Sequence, residues 1–503
     1  MGIMPKNYYK ITFIFIIIFS LFISIFTNGE DITTLTNKIQ KIVDESPVKN
    51  DGSLGIYFGF LNNETVIFKL NEDTPLTPAS CNKLLPTSAG FYYLTPDLIY
   101  ETNIYYVGKA KDGLLKGNIV IVGSGDPSIC GRWNNDDITK TLKDWADVIK
   151  GMGINTIEGD IVGDDDYFDD EYWHESWYPS ERGEWYEAEN SALSLNDNCV
   201  DIFWKGAENV GEPATYELDP KSNYYKFISN VKTSEKGKGS SIEYKREDKS
   251  NTITADGRIG IGKKSHEYFT IYNPTLYFTT VFKETLEAKG IKVKGDAKDI
   301  DDLDSSRKKN LKDDKKRKLI AIYKSPSLFE ICKIINQHSQ NLYADLVLKT
   351  ISAKKDGKGS FSSGVEWVKK FLKDVNINPD GLVMVDGSGL SYLNKVKPIQ
   401  LVELLRVMKK RYGDLFISTL PKGGQGSLFD RFNDDDYQKE VKQNIRGKTG
   451  WIGGVNSVTG VITNKAGTEI VYSIIQNEYS GKKADVISLM DKICVEVAYS
   501  EVK

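Results

Sequence analysis

The sequence predicts an α+β protein of several domains, in which segments from both ends of the chain build one domain around a large β-rich insertion. Three observations carry this. A chain of 503 residues accommodates two to four domains at about 150 residues each. Helix-and-strand patterns of the same kind occur near both termini, whereas the middle holds many short strand-like runs. With 40 % hydrophobic and 11 % aromatic residues, the chain can bury real cores and is unlike a disordered one.

At the N-terminus, Lys6 and Lys10 precede the uncharged run Ile11–Phe26. A short basic stretch before an apolar run of this length is the pattern of a secretory signal, assigned to residues 1–29. Thr27-Asn28-Gly29 is a poor cleavage site, so an uncleaved anchor is the alternative; either way the bulk of the protein is expected outside the cytosol. Leu35, Ile39, Ile42 and Val43 have helical spacing, and Leu54–Leu61 and Thr65–Leu70 flank an Asn62-Asn63 turn, a helix followed by a hairpin. Residues 30–95 form the first segment of the split domain. Residues 96–318 form the insertion, with strands such as Asn118–Val122 and Tyr268–Tyr272 and one helix carrying Ile138, Leu142, Trp145 and Ile149. Its end, Asp296–Lys318, is dense in Asp, Lys and Arg and is expected to be a solvated linker. Residues 319–503 form the second segment: helices at Leu328–Ile335, Leu342–Ile351, Val365–Leu372 and Ile399–Met408, strands at Ser457–Ile462 and Ile470–Ile475, and a last helix over Ala484–Tyr499.

Composition excludes several function classes. Sixty-six Lys and Arg against 70 Asp and Glu give a net charge of −4, spread along the chain, which argues against a nucleic-acid partner. The three histidines, His174, His266 and His338, lack zinc-ligand spacing. No two of Cys81, Cys130, Cys199, Cys332 and Cys494 make a C-x-x-C pair; one or two disulfides remain open. Asn63-Glu64-Thr65 is a glycosylation sequon, relevant only in a eukaryotic secretory route. Any hydrolase here needs a base other than histidine.

Ser80 and Lys83 supply one. Three residues apart at a helix start, they share a face, and the lysine amine can take the serine proton. Lowering a lysine from about 10.4 to about 7 requires roughly 4 to 5 kcal/mol of environmental bias, which burial and a second cation both provide. An S-x-x-K match alone occurs by chance. Here Ser339-Gln340-Asn341 follows between two helical patterns, and Lys448-Thr449-Gly450 lies in the C-terminal strand region. S-x-x-K, S-x-N and K-T-G in this order are the set of class A β-lactamases and penicillin-binding proteins. Ser339 can relay a proton, Asn341 can fix Lys83 and a substrate amide, and Lys448 with Thr449 can anchor a substrate carboxylate. Gly450 lets the backbone come close to the substrate.

Further segments extend this match. Asp386-Gly387-Ser388-Gly389-Leu390-Ser391, Leu420-Pro421-Lys422-Gly423-Gly424, Gly426-Ser427-Leu428 with Arg431, Gly454-Val455 and Thr459-Gly460-Val461 follow in order. In the insertion stand Gly123-Ser124-Gly125-Asp126-Pro127 and Ser191–Asn198. With these, the chain from about residue 33 to its end resembles the D-alanyl-D-alanine carboxypeptidase/endopeptidase branch of the penicillin-binding proteins, the class C low-molecular-mass type. The resemblance implies a β-lactamase/transpeptidase-like domain, helices around an antiparallel sheet, interrupted by the insertion. It also implies peptidoglycan stem peptides as substrates, a Ser80 acyl-enzyme, an oxyanion hole from the backbone N–H groups of Ser80 and Trp451, β-lactams as covalent inhibitors and no cofactor.

Three residues depart from the family pattern. Trp451 replaces a Thr or Ser whose hydroxyl grips the substrate carboxylate, which puts carboxypeptidase preference in doubt. Pro86 is expected to kink or end the helix that begins near Ser80. Gln340 is a neutral middle residue of the second motif. Elsewhere the plainer reading is preferred: His338 as a loop residue, Cys81 as a small hydrophobe, Asp164–Glu171 as a solvated acidic face rather than a metal site, and Trp173, Trp177, Tyr178, Trp185 and Tyr186 as packing aromatics rather than a sugar platform. Two other functions fit the motifs less well: a serine hydrolase of other specificity (β-lactamase, D-amino-acid peptidase or esterase), and a non-catalytic cell-wall-binding relative.

Overall fold

The structure, a computed structural model, describes residues 30–433 and 435–503; the signal-sequence expectation for residues 1–29 lies outside them. An antiparallel five-stranded sheet joins the two ends of the chain. Its strand order is Ile445–Ile452, Val455–Thr463, Glu469–Asn477, Ser53–Phe60, Val66–Leu70. The Ser53–Phe60 strand pairs with Glu469–Asn477 from Ser53↔Asn477 to Phe60↔Ile470.

Both faces of this sheet are covered, so its central strands are apolar almost throughout, and the period of two decides which core each side chain enters. Ile470, Tyr472 and Ile474 face the terminal helices Ile32–Asp44 and Lys483–Tyr499, packing with Leu35, Ile39 and Ile493. Val471 and Ile475 enter the opposite core with Leu84, Leu85, Leu401 and Leu405. That second core is built by the helices Leu84–Tyr93, Leu328–His338, Asn341–Asp356, Phe361–Asp374 and Pro398–Tyr412. The S-x-x-K, S-x-N and K-T-G motifs lie where it meets the sheet.

Residues between these segments form one larger and two smaller sheets. The larger is mixed and contains Ile99–Lys111, Leu114–Val122 and Arg317–Ser327, with Ile161–Asp164 and Ala297–Asp299 side by side and parallel. Helix Lys140–Gly151 buries Leu142, Trp145 and Ile149 against it. The two family-like segments meet there, with the Gly125 N–H donating to the Ala192 carbonyl at 2.8 Å.

Four expectations change. The insertion has a second long helix, Pro274–Ala288; its Thr, Phe, Tyr and Val content resembles a strand, and it is buried on most sides, which blurs the helical period. Asp296–Lys318 is not a bare linker: it forms a short strand and the helix Ser305–Leu311, and Ile300, Leu303 and Leu311 pack on Val107, Val120 and Val162. Asp164–Glu171 is not a solvated face, because Asp164 and Asp165 are buried, Asp164 pairing with Arg317 at 2.7 Å. Pro86 does not kink a helix. A 3-10 turn covers Ala79–Lys83 and the α-helix starts at Leu84, placing Pro86 in the first turn, where its missing N–H has no intrahelical partner to lose. All five cysteines are buried and unbonded to each other, so the open disulfide option closes.

Candidate active site

Ser80 sits on a sharp turn that three parts of the fold hold in place. Ala79 takes a left-handed φ of 45°, and the Ser457 hydroxyl donates to the Pro78 carbonyl at 2.6 Å. Asn82 donates to the Asp386 carbonyl at 2.8 Å, and the Cys81 thiol to the Lys448 carbonyl at 3.1 Å. Cys81 is buried, and burial pushes its thiol up, consistent with a packing role. Two glycines permit the crowding. A Cβ on Gly389 would lie 2.0 Å from the Ala79 carbonyl oxygen; one on Gly450 would lie 2.5 Å from the Pro78 oxygen and 2.8 Å from the Ser80 nitrogen.

Lys83 is fully buried and reaches three oxygens. Its Nζ lies 2.8 Å from Ser80 Oγ, 2.6 Å from Asn341 Oδ1, and within bonding distance of the Ser388 carbonyl. Burial pushes the ammonium well below the ordinary lysine range, and the charge on Lys448 pushes the same way against the pull of Asp345 and Asp386. Both mechanisms expected for a lysine base are therefore present. Asn341 in turn donates to the Tyr186 carbonyl at 2.7 Å, which fixes its amide with the oxygen toward Lys83.

Ser339 ends the Leu328–His338 helix in the left-handed region, φ 60°, and this turns its hydroxyl to 3.0 Å from Lys448 Nζ. Lys448 also donates to the Thr449 carbonyl at 2.6 Å, and burial lowers it to about 8. The motif lies on Ile445–Ile452, the edge strand of the sheet; its outer rim pairs with Pro421–Gly423 as far as Gly447, and beyond that, at Thr449 and Trp451, an extended peptide can add to it. Thr449 and Trp451 are two residues apart and share a face of it.

All eight candidate residues thus converge. Ser80, Ser339, Asn341, Thr449 and Trp451 line one cleft of about 430 Å³, Lys83 and Lys448 lie beneath it, and Gly450 packs against Ser80. Sequence reasoning missed the far wall: Tyr178, Glu181, Trp185, Tyr186 and Tyr392 also line the cleft. Of the five aromatics expected to pack, two do: Trp177 buries its ring and donates to Asp386 at 2.9 Å, and half-buried Trp173 packs edge-on against Trp177 and donates to Glu187 at 3.2 Å; Tyr178, Trp185 and Tyr186 are cleft residues. His338 is an exposed rim residue. Gln340 has more to do than its neutral side chain suggested, since it donates to Asp197 of the insertion at 2.6 Å. Asp345, also unforeseen, accepts from the Gly387 and Ser388 N–H groups at 2.7 and 2.9 Å, holding the loop whose carbonyl binds Lys83.

Comparison with known proteins gives the same answer from the whole chain. Residues 35–497 match the D-Ala-D-Ala carboxypeptidase 3 (S13) family. A D-alanyl-D-alanine carboxypeptidase of Actinomadura sp. (strain R39) is 25 % identical over 486 residues, covering 94 % of this chain and 86 % of the relative. A penicillin-sensitive carboxypeptidase A of Dictyostelium discoideum is 26 % identical over 512 residues, covering 93 % and 92 %. Among solved structures, penicillin-binding protein 4 (dacB) of Haemophilus influenzae superposes with a TM-score of 0.76 at 21 % identity, covering 92 % of this chain and 99 % of that one.

Proposed function

Because the chain belongs to the D-Ala-D-Ala carboxypeptidase 3 (S13) family, and is a serine-type carboxypeptidase on that ground, we propose that Ser80 is its nucleophile and Lys83 the base. The observation that carries this is Lys83 itself: a fully buried amine, pushed toward neutrality, 2.8 Å from Ser80 Oγ. Ser80 Oγ attacks the carbonyl carbon of the penultimate D-alanine, and its proton passes to Lys83. The N–H groups of Ser80 and Trp451 stabilise the oxyanion. As the C–N bond breaks, Lys83 returns that proton to the leaving D-alanine amine by way of Ser339, so Lys83 is neutral again while Lys448 keeps its charge. Water, deprotonated by Lys83, then hydrolyses the Ser80 ester. Lys448 and Thr449 hold the substrate carboxylate.

The substrates on this reading are peptidoglycan stem peptides outside the cytosol. Among the described residues, no helix is long and apolar enough to cross a membrane. β-Lactams acylate Ser80 because they offer the same carbonyl. Trp451, 56 % exposed in the cleft, supplies no hydroxyl to grip a terminal carboxylate, and on this reading the enzyme also cleaves D-alanyl cross-links. Mass spectrometry of muropeptides incubated with wild type and Ser80→Ala tests both activities. Loss of one alanine marks the carboxypeptidase, dimer-to-monomer conversion the endopeptidase, and products that persist with Ser80→Ala overturn the mechanism.

A further inference from the structure

Away from the cleft, three carboxylates meet at the end of a pair of parallel strands. Asp165 follows the strand Ile161–Asp164, and Asp299 ends its neighbour Ala297–Asp299, with Asp299 opposite Gly163. Asp301 lies in the turn that follows. One carboxylate oxygen from each of Asp165, Asp299 and Asp301 lies within 4.8 Å of the others. Asp165 and Asp299 are buried, at 4 % and 1 % exposure.

Among the described residues, only one of the three carboxylates is paired with a cation of the protein. Asp301 pairs with Lys308 at 2.5 Å; neither Asp165 nor Asp299 makes a salt bridge among the described residues. Asp299 accepts from the Asn273 amide at 2.9 Å and the Asp301 N–H at 3.1 Å. Asp165 Oδ2 accepts from Thr275 at 2.6 Å and Ser191 at 3.2 Å. The other oxygen, Asp165 Oδ1, is buried with no hydrogen-bond partner. A buried carboxylate oxygen without a donor is unfavourable, and it is the atom left over for a ligand.

We propose that Asp165, Asp299 and Asp301 bind a hard divalent cation, Ca²⁺ in preference to Mg²⁺. All-oxygen, carboxylate-rich ligands select hard cations. Ca²⁺ accepts an irregular protein cage with bonds of about 2.3–2.6 Å, whereas Mg²⁺ demands about 2.0–2.1 Å and keeps most of its waters. The ion touches no reacting atom. It fastens the start of a segment that runs on to the cleft: Asp169 and the Glu171 carbonyl hold the buried Lys349 ammonium at 2.8 and 2.6 Å, on the same helix as Asn341, and Tyr178–Tyr186 then forms the far wall. The cation is thus a structural clasp within the insertion, at the root of the segment that reaches the helix of Asn341.

The test uses the full chain stripped with EDTA and dialysed. CaCl₂ or MgCl₂ is added to about 5 mM, a range that saturates even weak extracellular calcium sites, while calorimetry follows Tm and heat of binding. The expected result is one binding event per chain and a Ca²⁺-dependent rise in Tm of about 3 °C or more, smaller with Mg²⁺. Asp301→Asn, at an exposed position, folds and acylates with penicillin but loses the rise, and Asp165→Asn loses it too. No Ca²⁺-dependent shift or heat in wild type, or a shift that survives both substitutions, overturns the site.

Discussion

Two buried lysines share the cleft floor, and their surroundings set their roles apart. Lys83 has three oxygen acceptors, yet burial and the Lys448 charge push it well below the ordinary lysine range; Lys448 is lowered only to about 8. The surroundings therefore bias Lys83 toward the free base and leave Lys448 the more readily charged of the two. For a substrate with a C-terminal carboxylate, kcat/KM rises as Lys83 loses its proton and falls as pH passes about 8 and Lys448 loses its charge. Lys448→Met removes the repelling charge, so the acid limb of the pH profile of penicillin acylation moves to higher pH. An unmoved limb contradicts the electrostatic account. Lys83→Met lowers acylation by about 10²–10⁴-fold, the usual size of a lost general base, with Tm held or raised. The motif residues themselves were legible, because chemistry fixes their types and spacing. Asp345 was not, and Asp386 was legible only as the first residue of the family-like segment ending at Ser391 and not in its role, since a carboxylate that braces a loop leaves no spacing rule in the sequence.

Elements explain where the motif residues stop and the fold begins. The edge strand Ile445–Ile452 comes so close to the Ser80 turn that residue 450 has room for no side chain. Gly450→Ala costs about 1–3 kcal/mol of stability by overpacking and slows acylation more than tenfold, read by thermal melting and stopped-flow labelling; unchanged acylation refutes the close approach. At Pro86 two readings differ in sign. A helix-breaking proline costs about 3 kcal/mol, so its replacement by alanine would stabilise. In the first turn, Pro86→Ala instead loses about 0.4–1 kcal/mol, through the gain in unfolded-chain entropy, measured by denaturant melts. The second-segment helices and strands were legible from their periods. Pro274–Ala288 was not, although Asn273 before Pro274 is a cap-and-first-turn signal, and the Asn273 side chain does accept from the Leu276 N–H at 2.8 Å.

At the scale of the molecule, the insertion contributes to the walls and supports of the candidate active site. Tyr186 orients Asn341, Asp197 receives Gln340, the Ser176 hydroxyl donates to Ser391 at 2.7 Å, and Trp177 donates to Asp386, whose loop binds Lys83. The sequence boundary at residue 318 falls inside the strand Arg317–Ser327, which pairs with Ile99–Lys111 of the insertion; we propose residues 96–327 as the inserted unit and 30–95 with 328–503 as the domain it interrupts. Trp177→Phe leaves a buried carboxylate oxygen short of a donor and lowers stability by about 1–3 kcal/mol, with slower acylation. Equal acylation rates would mean that the insertion merely covers the catalytic domain. Its presence was legible from the change in strand pattern, but its docking was not, because contacts such as Gln340 to Asp197 join residues 143 positions apart. The central claim is that Ser80 forms the acyl-enzyme. Intact-mass spectrometry with peptide mapping after benzylpenicillin treatment tests it most directly. The account predicts one penicilloyl group per wild-type chain, on the peptide containing Ser80, and none on Ser80→Ala; a label on another residue, or one retained by Ser80→Ala, contradicts it.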